Sequence, residues 1–274
     1  MQPQPAPASC PNCGNQLLGK FCHACGQKKI EDKDRTLKHF FTEVMHASFH
    51  IEHNILGSFW KLLTRPGFIV REYIDGRRKR YMSPFAVFAV INILYFLFSP
   101  LTDLSLKLHD QNRQFYGAMA ESMIDSRLEA RQITAENYAA VYNTKSNSLS
   151  KILVIINVPF FAMFIAMMYV KSRKVFFADH LIFALNFFAF FLLYSLVLVA
   201  FFKVAGLLHL PLTSTMFQAA FLGGSPVYLL LAVRKVYQES WGWAILKSVF
   251  MLVGFVITHF LYRFILFLIT FAAT

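Results

Sequence analysis

The sequence predicts an all-α polytopic membrane protein with about five transmembrane helices. Three observations carry that expectation. Hydrophobic residues fill 56% of the 274 positions, 31 of them Phe, and the mean hydropathy is +0.46. Charged residues make up only 15%, against about 25% in a water-soluble domain. The formal net charge is nevertheless +12, the sign expected where Lys and Arg mark the cytoplasmic flanks of spans. The same figures exclude a disordered chain, a coiled coil and a small disulfide scaffold.

The first element is residues 1–34. Met1 to Ser9 is rich in Pro, Gln and Ala and has neither the basic region nor the apolar run of a signal peptide; it reads as a disordered start. Then come Cys10 and Cys13, and after eight residues Cys22 and Cys25; no other Cys occurs. In each C-x2-C turn both thiolates can reach one ion, and two such turns complete a tetrahedral shell. Gly14 and Gly26 follow the second Cys of each pair, where positive φ helps close the turn. Lys20, Lys28 and Lys29 can offset the excess negative charge of four thiolates. Two disulfides are the rival reading, but they need an oxidising compartment. A small four-cysteine zinc ribbon with structural Zn2+ is therefore expected here, on the cytoplasmic side.

Residues 35–82 form the second unit: amphipathic interfacial helices and a basic block. From Thr36 to Leu63 apolar residues recur at three- and four-residue steps, as an amphipathic helix requires. Its polar face carries His39, Glu43, His46, His50 and His53 at alternating steps of four and three. Such a row can ligate a divalent metal or titrate near neutral pH, although an interfacial helix needs a polar face in any case. Pro66-Gly67 breaks the pattern, and a shorter amphipathic stretch, Phe68 to Ile74, ends at Gly76. Arg71, Arg77, Arg78, Lys79 and Arg80 precede the first span closely enough to grip anionic headgroups, at about 1 kcal/mol each near the surface. Nucleic acid is the weaker expectation for this block, because it abuts a span and the interface-anchoring Tyr81.

Residues 83–274 form the membrane helical domain. Uncharged stretches at Ser83 to Thr102, Ile152 to Val170 and Leu181 to Phe202 are long enough to cross a ~30 Å hydrocarbon core. A fourth lies from Met216 onward, and Gly223, Gly224 and Pro226 predict a kink or break in it. The fifth runs from about Trp243 to Phe271. The polar segment 103–151 reads as a helical hairpin outside the cytoplasm. It carries six basic and six acidic residues, whereas Lys171, Arg173 and Lys174 and then Arg234 and Lys235 mark cytoplasmic ends. The expected location is thus the cytoplasmic (inner) membrane, multi-pass, with the N-terminus in the cytoplasm.

Polar groups inside the spans are few: Asn92, Asn157, Asn186, His259 and Arg263. His259 and Arg263, one turn apart, share a face that must meet protein, water or an interface. Asp179 and His180 stand at the mouth of the third span, where a proton-transfer or metal role competes with ordinary compensation of the helix dipole by Asp179. Nothing nominates a nucleophile or a catalytic pair.

The segments CPNCG (Cys10 to Gly14), FCHACGQ (Phe21 to Gln27), RTLKHF (Arg35 to Phe40), TRPGFIVREYIDGRRKRYMSP (Thr64 to Pro84) and ADHLIFALNFFAF (Ala178 to Phe190) resemble a bacterial membrane family, the domain-of-unknown-function family numbered 3667. Its most specific piece is the RPG…YIDGRRKRY block. The resemblance implies a zinc ribbon fused to a multi-span domain and no established activity. It also implies an acidic-His pair at Asp179-His180, with Asn186 standing where a second His is common.

The function expected is that of a non-catalytic interaction or assembly module, with membrane lipids and a protein partner of the ribbon as its contacts. The alternative is a small-molecule or lipid transporter, or a lipid-modifying membrane enzyme, which would gather Asn157, Asn186 and His259 around a water-filled cavity.

Overall fold

The computed structural model describes residues 9–29, 54–98, 104–170 and 175–274. Within them the chain forms α1 (Ile55–Thr64), α2 (Phe68–Ile74), α3 (Pro84–Phe98), α4 (Gly117–Arg131), α5 (Ala135–Leu153), α6 (Asn157–Met168), α7 (Phe177–Leu207), α8 (Ser214–Tyr237) and α9 (Trp241–Ala272). Four helical segments are long and apolar enough to cross a membrane: Ala135–Met168, Phe177–Leu207, Ser214–Tyr237 and Trp241–Ala272. The apolar helix α3, on the first expected span, covers 15 residues.

Helix α7 is the axle of the bundle. Every residue from Ala178 to Phe190 is buried, because α3, α6, α8, α1 and α2 all pack against it. A helix apolar on all faces is stable only when surrounded, and the ADHLIFALNFFAF run supplies that composition. Phe187 and Phe190 carry the contact to α8 through Tyr228, whose ring stacks on Phe190 at 3.5 Å between centroids. Phe161 of α6 and Phe255 of α9 complete the ring cluster around Phe187.

Of the kink or break expected in helix α8, the break does not occur. The helix runs unbroken from Ser214 to Tyr237 with Pro226 inside it. Gly224 serves packing: a Cβ on it would lie 2.3 Å from the Tyr194 hydroxyl of α7, whereas one on Gly223 would meet open space. Tyr194 donates to the carbonyl of Ala220 at 2.7 Å, so an α7 side chain bonds the α8 backbone just ahead of the proline.

The segment between the first two expected spans is a helix-turn-helix, α4 and α5, closed at Gln132 in the left-handed region with φ 52°. Thr134 caps α5, its hydroxyl accepting from the N–H of Asn137 at 3.3 Å. No break follows Lys151. A single 3-10 turn, Val154–Ile156, joins α5 to α6, and the combined 34 residues reach about 51 Å at ~1.5 Å per residue. The surplus over a bilayer core leans on the end of α9: Tyr116, Tyr138 and Tyr142 pack around Phe267 in a second apolar cluster. Arg131 donates to the carbonyl of Thr274, and Tyr138 and Thr274 share a hydroxyl hydrogen bond of 3.0 Å.

Candidate metal centre

Each C-x2-C turn folds as a small knuckle. In the first, the N–H of Gly14 donates to Cys10 at 2.8 Å and the N–H of Cys10 to Asn15 at 2.7 Å. The second repeats the pattern: Gly26 to Cys22 and Cys22 to Gln27, both 2.8 Å. Gly14 and Gly26 sit at φ 80° and 69°, the left-handed conformation that a glycine takes without Cβ strain. Isolated antiparallel bridges, Ser9 with Gln16 and Phe21 with Lys28, close the two knuckles at their bases.

The knuckles face each other. All four Sγ atoms lie within 4.8 Å of one another, with Cys10 to Cys25 at 3.6 Å and Cys13 to Cys22 at 3.5 Å. The four cysteines are free thiols, and their chemistry and spacing fit a single metal ion held by four thiolates. Cys10 and Cys22 are buried although the module has almost no apolar core, so the ion would supply the stability that such a short segment lacks.

Gln27 ties the centre to the basic block. Its backbone carbonyl takes the N–H of Cys22, while its buried side chain accepts from the N–H of Arg78 at 3.3 Å and donates to the carbonyl of Lys28 at 3.1 Å. Sequence reasoning missed this residue; its place directly after the second knuckle was the available signal.

The block itself divides by its pairing. Arg71 pairs with Asp75 at 2.8 Å, and Arg77 pairs with Glu72 at 2.7 Å and with Asp75 at 3.0 Å. The Glu72 hydrogen bond raises the pKa of Arg77 further above its ordinary value. Arg71 also donates to the carbonyl of Val236 in the last turn of α8 at 3.3 Å. Arg78 lies over the Tyr73 ring at 4.3 Å and donates to the Tyr73 carbonyl. Lys79 and Arg80 are exposed. Arg71 and Arg77 thus hold the chain's own carboxylates, and Lys79 and Arg80 are the cations turned outward.

Glycine at 67 explains how α2 approaches α8 so closely. Its φ is +70°, and a Cβ there would meet the Ala232 carbonyl at 2.9 Å. The RPG turn therefore seats the start of α2 directly on the α8 backbone.

The remaining candidates do not converge on one site. Asp179 accepts from the N–H of Phe176 at 2.9 Å, the local capping role that its place at the start of α7 allows. His180 bonds the Tyr237 hydroxyl through Nδ1 at 2.9 Å, and Tyr237 stacks on Tyr169 at 4.3 Å. Lys247 sits over the Tyr169 ring at 4.0 Å and pairs with Glu239. Asn186 accepts from the Tyr228 hydroxyl at 3.2 Å, and Asn157 is buried, donating to the carbonyl of Val154 at 3.1 Å. Arg263 reaches Gln114 at 3.3 Å, and His259 is half-buried beside Tyr262. The row His39, Glu43, His46, His50 and His53 lies outside the described residues.

No curated protein and no solved structure matches the chain. The model of the family described as a protein of unknown function (DUF3667) matches residues 52–96. That stretch holds the RPG turn, the arginine block and most of α3, so the family suggested by the sequence segments is the one to which this chain is similar over those residues.

Proposed function

We propose that this chain is a non-catalytic membrane module that displays a zinc knuckle to a protein partner at the cytoplasmic face of the inner membrane. A tetrahedral zinc with Zn–S bonds of ~2.3 Å needs sulfurs about 3.8 Å apart, close to the 3.5 and 3.6 Å spacings of Cys10, Cys13, Cys22 and Cys25. The positive flanks support a cytoplasmic N-terminus, a compartment that keeps thiols reduced.

One observation carries the reading. Gln27 pins the knuckle to Arg78, while Leu18 and Phe21 of the same module are 80% and 62% exposed. Two large apolar side chains held in water on a rigid metal scaffold are an incomplete hydrophobic contact, which a protein surface can complete. Lys79 and Arg80, beside the scaffold, meet anionic lipid at the same level. The enzyme or transporter reading calls for convergent polar groups, and His180, Asn186, Asn157 and Arg263 instead bond four different partners, Tyr237, Tyr228, the Val154 carbonyl and Gln114.

Site-specific photocrosslinking from position 21 in cells tests this. A discrete polypeptide adduct is expected, lost in Leu18→Ser and in Cys25→Ser. Adducts to lipid alone, or an adduct indifferent to both substitutions, would overturn the interaction role.

A further inference from the structure

At the other end of the bundle a cleft of about 450 Å³ opens between α3, α7, α8 and the loop after α3. Its size is that of a small-molecule pocket, which runs from about 300 to 1,000 Å³. One wall is aromatic: Tyr95, Phe191, Phe217 and Phe221. The polar part of the rim comes from one segment, Ser105 and Lys107 of the loop and His109 and Asp110 of the 3-10 turn Leu108–Arg113 that follows it.

The loop is fixed by bonds from three directions. Tyr262 of α9 donates to the Leu104 carbonyl at 2.8 Å, Gln111 donates to the Leu106 carbonyl at 3.3 Å, and Asn143 of α5 accepts from the N–H of Leu108 at 2.9 Å. The rim is therefore a built edge that holds its charges in place.

We propose that this cleft binds one anionic phospholipid from the leaflet opposite the zinc knuckle, with an acyl chain along the aromatic wall and the phosphate at Lys107. Charge and depth both select that occupant. Asp110 is engaged by Arg113 at 3.6 Å and by His109 at 3.2 Å. Among the described residues Lys107 has no ion pair, and it is exposed, so the rim offers an unmatched cation. The knuckle end is marked on α8 by Val236, which Arg71 holds. From there Phe221 and Phe217 lie about 22 Å and 28 Å along the helix at ~1.5 Å per residue, against a ~30 Å hydrocarbon core. The aromatic wall thus lies within the far half of the core, and the rim reaches the far headgroup level. Ile93 and Leu97 of α3, 68% and 72% exposed, are apolar surface suited to lipid tails on the helix that bounds the cleft.

The test uses the full chain in detergent, delipidated and then titrated with phosphatidylglycerol or phosphatidylcholine of identical acyl chains, followed by native mass spectrometry. One phosphatidylglycerol per chain is expected to bind more tightly than phosphatidylcholine. Lys107→Gln should weaken phosphatidylglycerol about fivefold, the worth of one surface cation, and abolish the headgroup preference. Ser105→Trp should fill the cleft and weaken both lipids, whereas Lys145→Gln, at an exposed cation of α5, should change neither. Inorganic phosphate should not compete. Equal retention of the two lipids by the unaltered chain, or a preference that survives Lys107→Gln, would overturn the proposal. So would a preference lost in Lys145→Gln, or competition by phosphate alone.

Discussion

The guanidinium of Arg71 reaches the carbonyl of Val236, 165 positions further along the chain, at 3.3 Å. Val236 lies in the last turn of α8, where carbonyls lack helical partners and the dipole favours a cation. Asp75 holds the same guanidinium from behind at 2.8 Å. The short helix α2 is thereby the C-terminal cap of a long one, with Gly67 permitting the close approach.

Arg71→Met removes the cap and leaves Asp75 to Arg77 alone. We expect a loss of about 1–2 kcal/mol, read as a lower denaturation midpoint in detergent. Arg71→Lys should recover only part of it, because an ammonium cannot serve both oxygens through a planar fork. Lys79→Gln and Arg80→Gln should stay within about 0.5 kcal/mol. Equal effects at 71 and 80 would contradict the division of the block.

The two adjacent glycines of α8 should respond in opposite ways. Gly223→Ala places a methyl in open space and should stabilise by up to about 1 kcal/mol through helix propensity. Gly224→Ala drives a methyl into the Tyr194 ring and should destabilise by about 1–3 kcal/mol, with partial rescue by Tyr194→Ala. A thermal shift series on these variants and on Tyr194→Ala alone decides it; a Gly224→Ala protein as stable as the parent would remove the packing argument.

Metal analysis of the purified chain should return one zinc per molecule. Any single Ser substitution at Cys10, Cys13, Cys22 or Cys25 should lower retention sharply, since three thiolates leave an open position. Gln27→Ala should keep the zinc and loosen the knuckle from Arg78, which faster hydrogen exchange at the Arg78 amide would report. Loss of zinc in Gln27→Ala would mean that the glutamine belongs to the metal site itself.

Labelling of single cysteines in a Cys-free background should separate the two ends. Glu121→Cys on α4 is expected to react with an impermeant maleimide from outside intact cells, and Lys79→Cys only after permeabilisation. The reverse pattern would invert the topology that the Lys and Arg distribution implies.

The features readable in the sequence were those with a period or a fixed spacing. Four cysteines at C-x2-C intervals announced a cage, and long uncharged stretches announced helices, because both depend on neighbours along the chain. Of the kink or break expected at Gly223-Gly224-Pro226, the break did not occur; the glycines were weighed by their freedom, and the sequence could not show Tyr194 filling the gap at Gly224. Lys151 was read as the end of the polar hairpin, and α5 runs on through it into α6 with its polar half leaning on α9; the sequence did not show that continuity. Gln27, Gly67 and Tyr262 act across 50 or more positions, and no local pattern encodes such a partner.

The aromatic packing around α7 bears on how the bundle responds to temperature. In water, rings such as Phe161, Phe187 and Phe255 would be driven together by dehydration, and separating them would raise the heat capacity. In a bilayer they part into acyl chains, so the force that holds them is dispersion and ring geometry. Helix separation within lipid should therefore carry a heat-capacity change near zero and a nearly linear free energy with temperature. The membrane core would then have no cold-side limit of its own, whereas the apolar contacts of Phe267 with the α4–α5 hairpin, where they meet water, would weaken on cooling.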